Sequence, residues 1–430
     1  MKRLRLLPLL LTAAMLFGCA AGPETDGAAR IAAPKAAAVR GMKKDGSSVG
    51  EREKLSEGYR DALKAFCTRA AREGLGQEGT ENEIISPVSL YFATAALAGT
   101  AEGKTRDELL QVLGMEEAMI GAETEKLLHN MNIDDSMGRL QAAGSLWLAD
   151  AFAAAIDAEA AKAFADRYGM ELWRADFAAA SAAKQLAAWV REHTNGNLGD
   201  AEAFQMDPQT ALMLLNTVYY KDEWLDRFNA EKTEADTFHN ADGSETECDF
   251  LNATYGIHGF SRYENGSVGA TVSSLQLKHG VMTFILPDEG CTPYDLLADE
   301  AALAAIVSGD CEGGVGEVVW QIPKFDYAAD TDLAAALRAM GVTAAFDPQQ
   351  ADFSALLNAE SEMPLWVDGV RQQARISVNE DGVEAAAYTR IEYAGSPMPT
   401  GRADMILDRP FLYYISAEGG MLFAGIVNRM

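Results

Sequence analysis

The sequence is poor in cysteine, and its cysteines do not form a pattern that binds metal. Five occur among 430 residues, and none of them makes a Cys-x-x-Cys pair. Zinc sites and dithiol redox sites are built from such close pairs, so neither kind of site is predicted. Cys291 and Cys311 are the nearest pair in sequence. Both a disulfide between them and a set of free buried thiols are compatible with the sequence.

Sequence motifs of catalysis are also missing. The five histidines lie far apart, and the chain has no His-Glu-x-x-His, no Gly-x-Ser-x-Gly and no phosphate-binding loop. The run Gly313–Gly316 lacks the spacing and the following helix of a dinucleotide site, so it is predicted to be a turn. We therefore predict that the chain is not an enzyme and that it uses no metal and no cofactor.

Positive charge is scarce. The chain has 36 Lys and Arg against 64 Asp and Glu, which gives a net charge of −28. Binding to nucleic acid needs a basic patch that contacts phosphates, so nucleic acid is excluded as a partner. An acidic surface otherwise indicates solubility rather than a particular fold.

The amino terminus is predicted to be a targeting segment. Lys2, Arg3 and Arg5 precede an apolar stretch, residues 6–17, that is too short to span a bilayer. The tetrapeptide ending in Gly18-Cys19 resembles a bacterial lipobox. Residues 1–18 are thus interpreted as a lipoprotein signal peptide and Cys19 as the lipidated residue of an exported, cell-surface or outer-membrane lipoprotein. An ordinary cleaved signal with an incidental cysteine is the alternative.

Two regions follow the predicted lipidation site. Residues 19–54 carry few large apolar groups, and such a segment cannot bury enough surface to offset its ordering entropy. It is predicted to be a disordered tether. Residues 55–430 are predicted to form one domain of mixed α+β class, in which helical periodicity from Leu55 to Phe66 and a capped start at Ser86-Pro87 alternate with apolar strands. The chain ends in a predicted hairpin.

Segments spread over this domain resemble the serpins, a family of serine protease inhibitors. In chain order they read NEIISPVSLYFATAALAGTAEGKTRDELLQVLG, AAWVREHTNGNL, LLNTVYYKDEWLDRF, QIPKFDY, NEDGVEAAAYT and MILDRPFLYYI. Each is weak by itself, but all occur in the family's order. The resemblance implies a serpin fold, with three β-sheets, about nine helices and an exposed reactive-centre loop.

The resemblance also implies a mechanism and a set of mechanical residues. A protease attacks the loop, and the cleaved loop inserts into the large sheet as a new strand, a step known for serpins. Residues matching the family's shutter beneath that sheet are Ser86, Ser89 and Asn216, with Gln372 where the family has histidine. Trp224 matches the breach tryptophan, where the loop enters.

The hinge that opens the loop has the alternation of a strand. After Glu380 and Gly382, one set of alternate side chains is small and uncharged, namely Val383, Ala385, Ala387 and Thr389. The other set carries the charges and the large ring, namely Glu384, Ala386, Tyr388 and Arg390. Because alternate residues of a strand face opposite sides of a sheet, the first set is predicted to pack beneath the sheet after insertion. Glycine at 382 gives the backbone freedom to hinge.

The family's spacing places the scissile residue near Ser396, with Tyr393, Ala394 and Met398 as further candidates. These residues favour an elastase-, subtilisin- or chymotrypsin-like target. The chain is therefore expected to be a monomeric suicide inhibitor that covalently traps serine endopeptidases, with cysteine proteases as a further class of partner. It is expected to meet the membrane only through lipid on Cys19. The alternatives are a non-inhibitory serpin-fold binding lipoprotein and an exported enzyme of unrecognised mechanism.

Overall fold

The computed structural model describes residues 27–35, 39–42, 48–76, 79–135, 137–199, 207–357, 365–383 and 401–430. Nine α-helices occur in these ranges. They are α1 Glu57–Leu75, α2 Pro87–Ala98, α3 Gly103–Leu113, α4 Glu117–Asn130, α5 Ala158–Tyr168, α6 Ala180–His193, α7 Pro293–Ala298, α8 Ala302–Ser308 and α9 Ala334–Met340.

Nineteen β-strands complete the regular structure of the same ranges. They are β1 Ala28–Ala32, β2 Gly41–Met42, β3 Ser48–Val49, β4 Glu83–Ile85, β5 Ile133–Asp134, β6 Gly138–Ala149, β7 Met170–Ala175, β8 Leu212–Glu223, β9 Glu234–His239, β10 Glu245–Asn265, β11 Val268–Gln276, β12 Gly280–Pro287, β13 Glu312–Pro323, β14 Phe325–Asp332, β15 Val367–Val378, β16 Gly382–Val383, β17 Gly401–Ile406, β18 Phe411–Ala417 and β19 Gly420–Val427.

Helix α2 is the centre of the core. Ser86 accepts a hydrogen bond from the Ser89 amide, and Pro87 occupies the first turn, so the helix start is capped as its sequence predicts. All twelve residues of α2 are buried. The helix contacts β6 and β8 on one side and β19 on the other. It therefore fills the space between two sheets, which explains why it is apolar on every face.

The first sheet, called the large sheet below, has eight strands. Its main order is β1-β7-β6-β8-β15-β14, with β5 paired to β6 and β16 paired to β8. Strands β8 and β15 run parallel, and β6 runs antiparallel to β8. Helix α6 packs on the face opposite α2, over a second apolar cluster that includes Trp147, Trp189 and Leu215.

The second sheet has nine strands in the order β17-β13-β10-β11-β12-β18-β19-β4, with β9 paired to β10. The predicted hairpin at the end of the chain is formed by β18 and β19. The resemblance implied three separate sheets, but in the described ranges only two are large. The reason is β10, which is 21 residues long and pairs in turn with β9, β13 and β11, so it joins what was expected to be two sheets.

The structure corrects part of the prediction that residues 19–54 form a disordered tether. Ala28–Ala32 form β1, which pairs antiparallel with β7 and becomes the edge strand of the large sheet. Arg30 forms an ion pair with Glu171 at 3.1 Å and lies over the Trp173 ring. Pairing at a sheet edge uses backbone groups and needs little apolar bulk. The low hydrophobicity of this segment therefore did not prevent it from folding.

The later part of the same segment also docks on the domain. Arg40 makes a parallel bridge to Ile133, and Arg52 forms an ion pair with Glu418 at 2.9 Å. The Glu53 amide donates to the Asn130 side chain at 2.8 Å. Polar contacts to side chains far away in sequence therefore hold this part of the segment against the folded body.

The edge strand β1 gives a first testable prediction. Removing residues 1–35 should make the amides of Met170–Ala175 that point to β1 exchange several-fold faster with solvent, because each lost hydrogen bond is worth about 1 kcal/mol. Removing residues 1–26 leaves β1 intact and is the matched control. Hydrogen exchange read by mass spectrometry makes the measurement. Equal exchange in the two truncated proteins would show that β1 does not protect this edge.

Candidate functional site

The large sheet is closed at one end and open at the other. Strands β8 and β15 pair in parallel from Leu212 opposite Val367 up to Thr217 opposite Gln373. Beyond that pair, the structure gives no ladder between Val218–Lys221 of β8 and the remainder of β15, although β8 stays paired to β6 and β15 stays paired to β14. Backbone groups in the interior of a sheet are normally paired. The open part is therefore a place that can accept a further strand.

A small cavity marks this opening. It has a volume of about 60 Å³, and its walls come from both separated strands and from the turn after α6. The residues lining it are Thr194, Asn197, Leu198, Val218, Tyr219, Tyr220, Arg375 and Ser377. The two strands therefore lack a backbone ladder here, and a cavity separates some of their side chains.

The predicted hinge begins at the far end of this opening. Asn379 and Gly382 exchange backbone hydrogen bonds of 3.1 and 3.3 Å, which close a tight turn directly after β15. The chain then enters β16, where Gly382 lies opposite Glu223 and Val383 opposite Asp222, antiparallel to β8. The first two residues of the hinge are therefore already paired with the strand that borders the opening.

Gly382 is required by its backbone conformation and by its close neighbours. Its φ is +147°, a value that residues with a side chain rarely adopt. A Cβ atom at this position would lie 2.5 Å from the Asp222 carbonyl oxygen and 2.8 Å from the Trp224 nitrogen. Only glycine lets the hinge lie this close to the end of β8.

Trp224, predicted as the breach tryptophan, anchors the same turn. Its indole nitrogen donates to the Asn379 carbonyl at 3.0 Å, and its amide donates to the Asp381 carbonyl at 3.1 Å. The side chain is buried and meets Phe228 edge to face. This tryptophan thus contacts the turn that precedes the loop, and its role as the breach residue stays a prediction.

Ion pairs that the sequence analysis missed hold the two acidic residues of the turn. Glu380 accepts from the Thr233 hydroxyl at 2.9 Å and from the Lys324 ammonium at 3.2 Å, and Arg227 donates to Asp381 at 2.9 Å. Burial opposes ionisation of Glu380, but hydrogen bonds from its own amide, Thr233 and Lys324 hold its pKa below the ordinary value. Lys324 belongs to the QIPKFDY segment, and that resemblance was the one sequence signal that could have pointed to this contact.

The predicted shutter residues come together at the closed end of the sheet. The Gln372 amide group bonds twice to Ser86, with its oxygen accepting from the Ser86 N–H and its nitrogen donating to the Ser86 carbonyl. Gln372 lies opposite Asn216 in the β8–β15 ladder. Ser89 and Asn216 line one small cavity of about 10 Å³ between α2 and the sheet. Glutamine thus ties the last closed pairs of the sheet to the start of α2.

Other predicted site residues lie outside the described residues. These are Cys19 and the loop positions Glu384, Ala385, Ala386, Ala387, Thr389, Tyr393, Ala394, Ser396 and Met398. Within the described ranges, Cys67, Cys248, Cys291 and Cys311 are free thiols, and no cluster of metal-binding side chains occurs. The helices in those ranges include none with the length and apolar character that crossing a bilayer requires.

Comparison with known proteins identifies the family. A family model described as Serpin (serine protease inhibitor) matches residues 61–430, and the chain therefore belongs to the serpin family. Serpin-Z1C of Triticum aestivum is 30% identical over 373 residues, which cover 82% of this chain and 91% of the wheat protein. Glia-derived nexin of Mus musculus is 29% identical and covers 81% of this chain and 88% of the mouse protein. Membership supports a general role as a serine protease inhibitor.

Solved structures share the fold. The native state of tengpin, a thermophilic serpin, superposes with a TM-score of 0.71 at 22% identity and covers 89% of this chain and 96% of that one. Human thyroxine-binding globulin, solved with its hormone, also gives a TM-score of 0.71 at 22% identity, covering 86% of this chain and 98% of that one. The predicted serpin fold is therefore confirmed.

Replacing Gly382 tests how the hinge is held. The substitution Gly382→Ala should lower the free energy of unfolding by about 1 to 3 kcal/mol, because the backbone conformation is unfavourable for alanine and the Cβ meets β8. Gly369→Ala is the matched control, since a Cβ at Gly369 on β15 has open space around it. Thermal unfolding of both variants makes the comparison. An equal effect of the two substitutions would contradict this description of the hinge.

Proposed function

We propose that this chain is a suicide inhibitor of serine endopeptidases that traps its target by inserting the cleaved loop between β8 and β15. The observation that carries the proposal is the opening beyond Thr217 and Gln373, with the hinge already paired to β8 at its far end. A strand continued from Gly382 and Val383 in the same register would run along β8 where the β8–β15 ladder has ended. Inhibition, rather than catalysis, is what this arrangement supports.

The register of the hinge supports the prediction that the small, uncharged set of alternate side chains faces the core. Gly382 lies opposite Glu223 and Val383 opposite Asp222. Continuing this antiparallel register sets Ala385 opposite Tyr220 and Ala387 opposite Val218. Alternate β8 residues that include Leu212, Leu214 and Val218 belong to the main core, whereas Met213 and Leu215 face α6. Since residues opposite one another share a face of the sheet, the small uncharged set would face the core.

Full insertion must also part the closed end of the sheet. The same register brings Thr389 opposite Asn216, which now lies opposite Gln372. The inserted strand would replace that pairing, so the Gln372 contacts to Ser86 lie at the point where the sheet has to separate. Their polar character suits this role, because hydrogen bonds can be remade after the strands have moved.

The finer features of the proposal concern target and location. The candidate scissile residues Ser396, Tyr393, Ala394 and Met398 favour a protease of the elastase, subtilisin or chymotrypsin type, with cysteine proteases as a further class. We propose that the protein acts as a monomer outside the cytoplasm of a bacterial cell, held at the membrane by lipid on Cys19. Metabolic labelling with a radioactive or clickable fatty acid, compared between the native chain and Cys19→Ser, tests the anchor.

Formation of a covalent adduct tests the function itself. The chain from Ala20 onward is mixed with an elastase, a subtilisin, chymotrypsin or trypsin and separated on a denaturing gel. We expect an adduct that survives denaturation, together with a released carboxyl-terminal fragment whose mass identifies the cleaved bond. Cleavage within residues 384–400 without an adduct for any of these proteases would favour the non-inhibitory binding protein instead.

Paired substitutions test which alternate residues of the inserting strand face the core. Ala387→Arg should turn the inhibitor into a substrate, because an unpaired charge buried opposite Val218 destabilises by about 3 to 5 kcal/mol. That difference shifts the ratio of trapped to released protease by about a hundredfold or more. Ala386→Arg, one residue earlier and on the opposite face, should keep most of the trapping. The reverse order of effects in the gel assay would refute the register.

A further inference from the structure

A histidine lies between two buried carboxylates at the end of the large sheet where the hinge enters. The His279 Nδ1 atom is 3.0 Å from Asp222 Oδ1, and its Nε2 atom is 3.0 Å from Asp135 Oδ2. The side chains of Asp222 and Asp135 are 0% and 2% exposed, and that of His279 is 16% exposed. We call these three residues the histidine cluster. The hinge, breach and shutter described above contain none of its members.

The carboxylates of the cluster are fixed in place by further hydrogen bonds. Asp222 accepts from the Tyr220 hydroxyl at 2.7 Å, from the Glu223 amide at 3.0 Å and from the His279 amide at 2.7 Å. Asp135 accepts from the amide of Met137, just before β6, at 2.8 Å and from that of Gly138, the first residue of β6, at 2.9 Å. Backbone amides therefore hold both carboxylates in position, on the facing oxygen Oδ1 of Asp222 and on the other oxygen, Oδ1, of Asp135.

The histidine cluster joins three segments of the fold. His279 lies in the turn between β11 and β12 of the second sheet, whereas Asp222 is the penultimate residue of β8 and Asp135 precedes β6 in the large sheet. In the backbone ladders, Asp222 lies opposite both Gly138 of β6 and Val383 of the hinge. The contact between imidazole and carboxylates is thus a tie between the two sheets, placed at the residue that receives the hinge.

Gly138 makes the close approach of the imidazole possible. A Cβ atom on Gly138 would lie 2.9 Å from His279 Nδ1 and 3.0 Å from Asp222 Oδ1. Those distances are shorter than a side-chain carbon tolerates. The strand therefore leaves room for the imidazole to reach both acids, which indicates a built contact rather than a chance one.

Protonation decides whether this tie attracts or repels. An imidazolium donates from both ring nitrogens and leaves the cluster with one net negative charge, whereas a neutral imidazole must turn one lone pair toward a carboxylate and leaves two. Burial lowers the pKa of His279, but the hydrogen bond and charge of Asp222 and the charge of Asp135 outweigh it and raise the pKa above the ordinary value. The stabilisation is therefore fully present below the unfolded-state pKa and is lost as pH rises through the folded-state pKa.

Other charged groups near the cluster include a cavity wall of mixed charge and two ion pairs. The cavity that His279 lines has three acids and three bases on its walls, namely Glu57, Asp61, Glu418, Arg60, Lys64 and Lys278, which balance one another. Glu223, next to Asp222, faces Arg227 at 3.5 Å, and Glu418 faces Arg40 at 3.4 Å. Loss of the histidine proton therefore removes one positive charge from between the two carboxylates.

We propose that His279, Asp222 and Asp135 form a proton-controlled latch that holds the loop-entry end of the large sheet to the second sheet. The latch is closed while the imidazole is protonated and opens as pH rises through the folded-state pKa. If the chain is an inhibitor as proposed above, opening the latch frees the end of β8 and changes how fast the loop inserts. That last consequence rests on the proposed function, but the latch itself does not.

Hydrogen exchange and histidine titration test the latch without any protease. In the chain from Ala20 onward, the amides of Gly138 and Glu223 should open more at pH 9 than at pH 6, after correction for intrinsic exchange, because the pKa of His279 is raised in the folded state. His279→Gln should abolish this pH dependence. His239→Gln, at a histidine that is more than half exposed, is the matched control and should retain it.

A second variant separates a titrating latch from a merely structural contact. Asp135→Asn removes one of the two charges that favour the imidazolium, so the NMR titration midpoint of His279 and the pH at which the amides open should both move down together. A His279 midpoint at or below that of an ordinary histidine would overturn the proposal. So would an opening that depends on pH equally in wild type and His279→Gln. Adduct formation with protease, measured separately, reports on the inhibitor proposal alone.

Discussion

The rest of this structure depends on one interior strand of the large sheet that loses a neighbouring strand partway along its length. Strand β8 is paired to β15 up to Thr217 and is then left without that partner. An interior strand with free N–H and C=O groups is unfavourable unless something pairs with it. At the far end of the place where this ladder stops, the hinge is already in antiparallel register with β8.

Polar contacts hold the two ends of the opening, whereas apolar packing holds the remainder of the body. At the closed end, Gln372 bonds twice to Ser86 at the start of α2. At the open end, Trp224, Lys324 and Arg227 bind the hinge turn. Hydrogen bonds and ion pairs can break and re-form without leaving a cavity, whereas a packed apolar core resists such changes. If the loop inserts as proposed, the sheet opens at these polar contacts while the apolar core stays packed.

The features that could be predicted from sequence are those with a strong local pattern. The capped and wholly apolar α2 and the final hairpin both follow from residues close together in the chain, whereas the place of Trp224 beside the hinge was expected only from the family resemblance. Strand β1 could not be predicted, because Ala28–Ala32 fold by backbone pairing with a strand distant in sequence. The ion pairs of Glu380 and Asp381 and the histidine cluster likewise join separate segments, and no spacing in the sequence encodes such contacts. Two expected sheets are joined because β10 is 21 residues long. The alternation of side chains along a strand does not indicate where the strand ends, so this length could not be predicted.

The most direct measurement of the central claim is hydrogen exchange of the intact chain compared with the chain cleaved once in its loop. Any protease that cuts within residues 384–400 serves for this purpose. The account predicts that the amides of Val218–Lys221 that face the opening become strongly protected after cleavage, because an inserted strand then pairs with them. Unchanged exchange in that segment after complete cleavage would show that the opening does not receive the loop, and it would contradict the account.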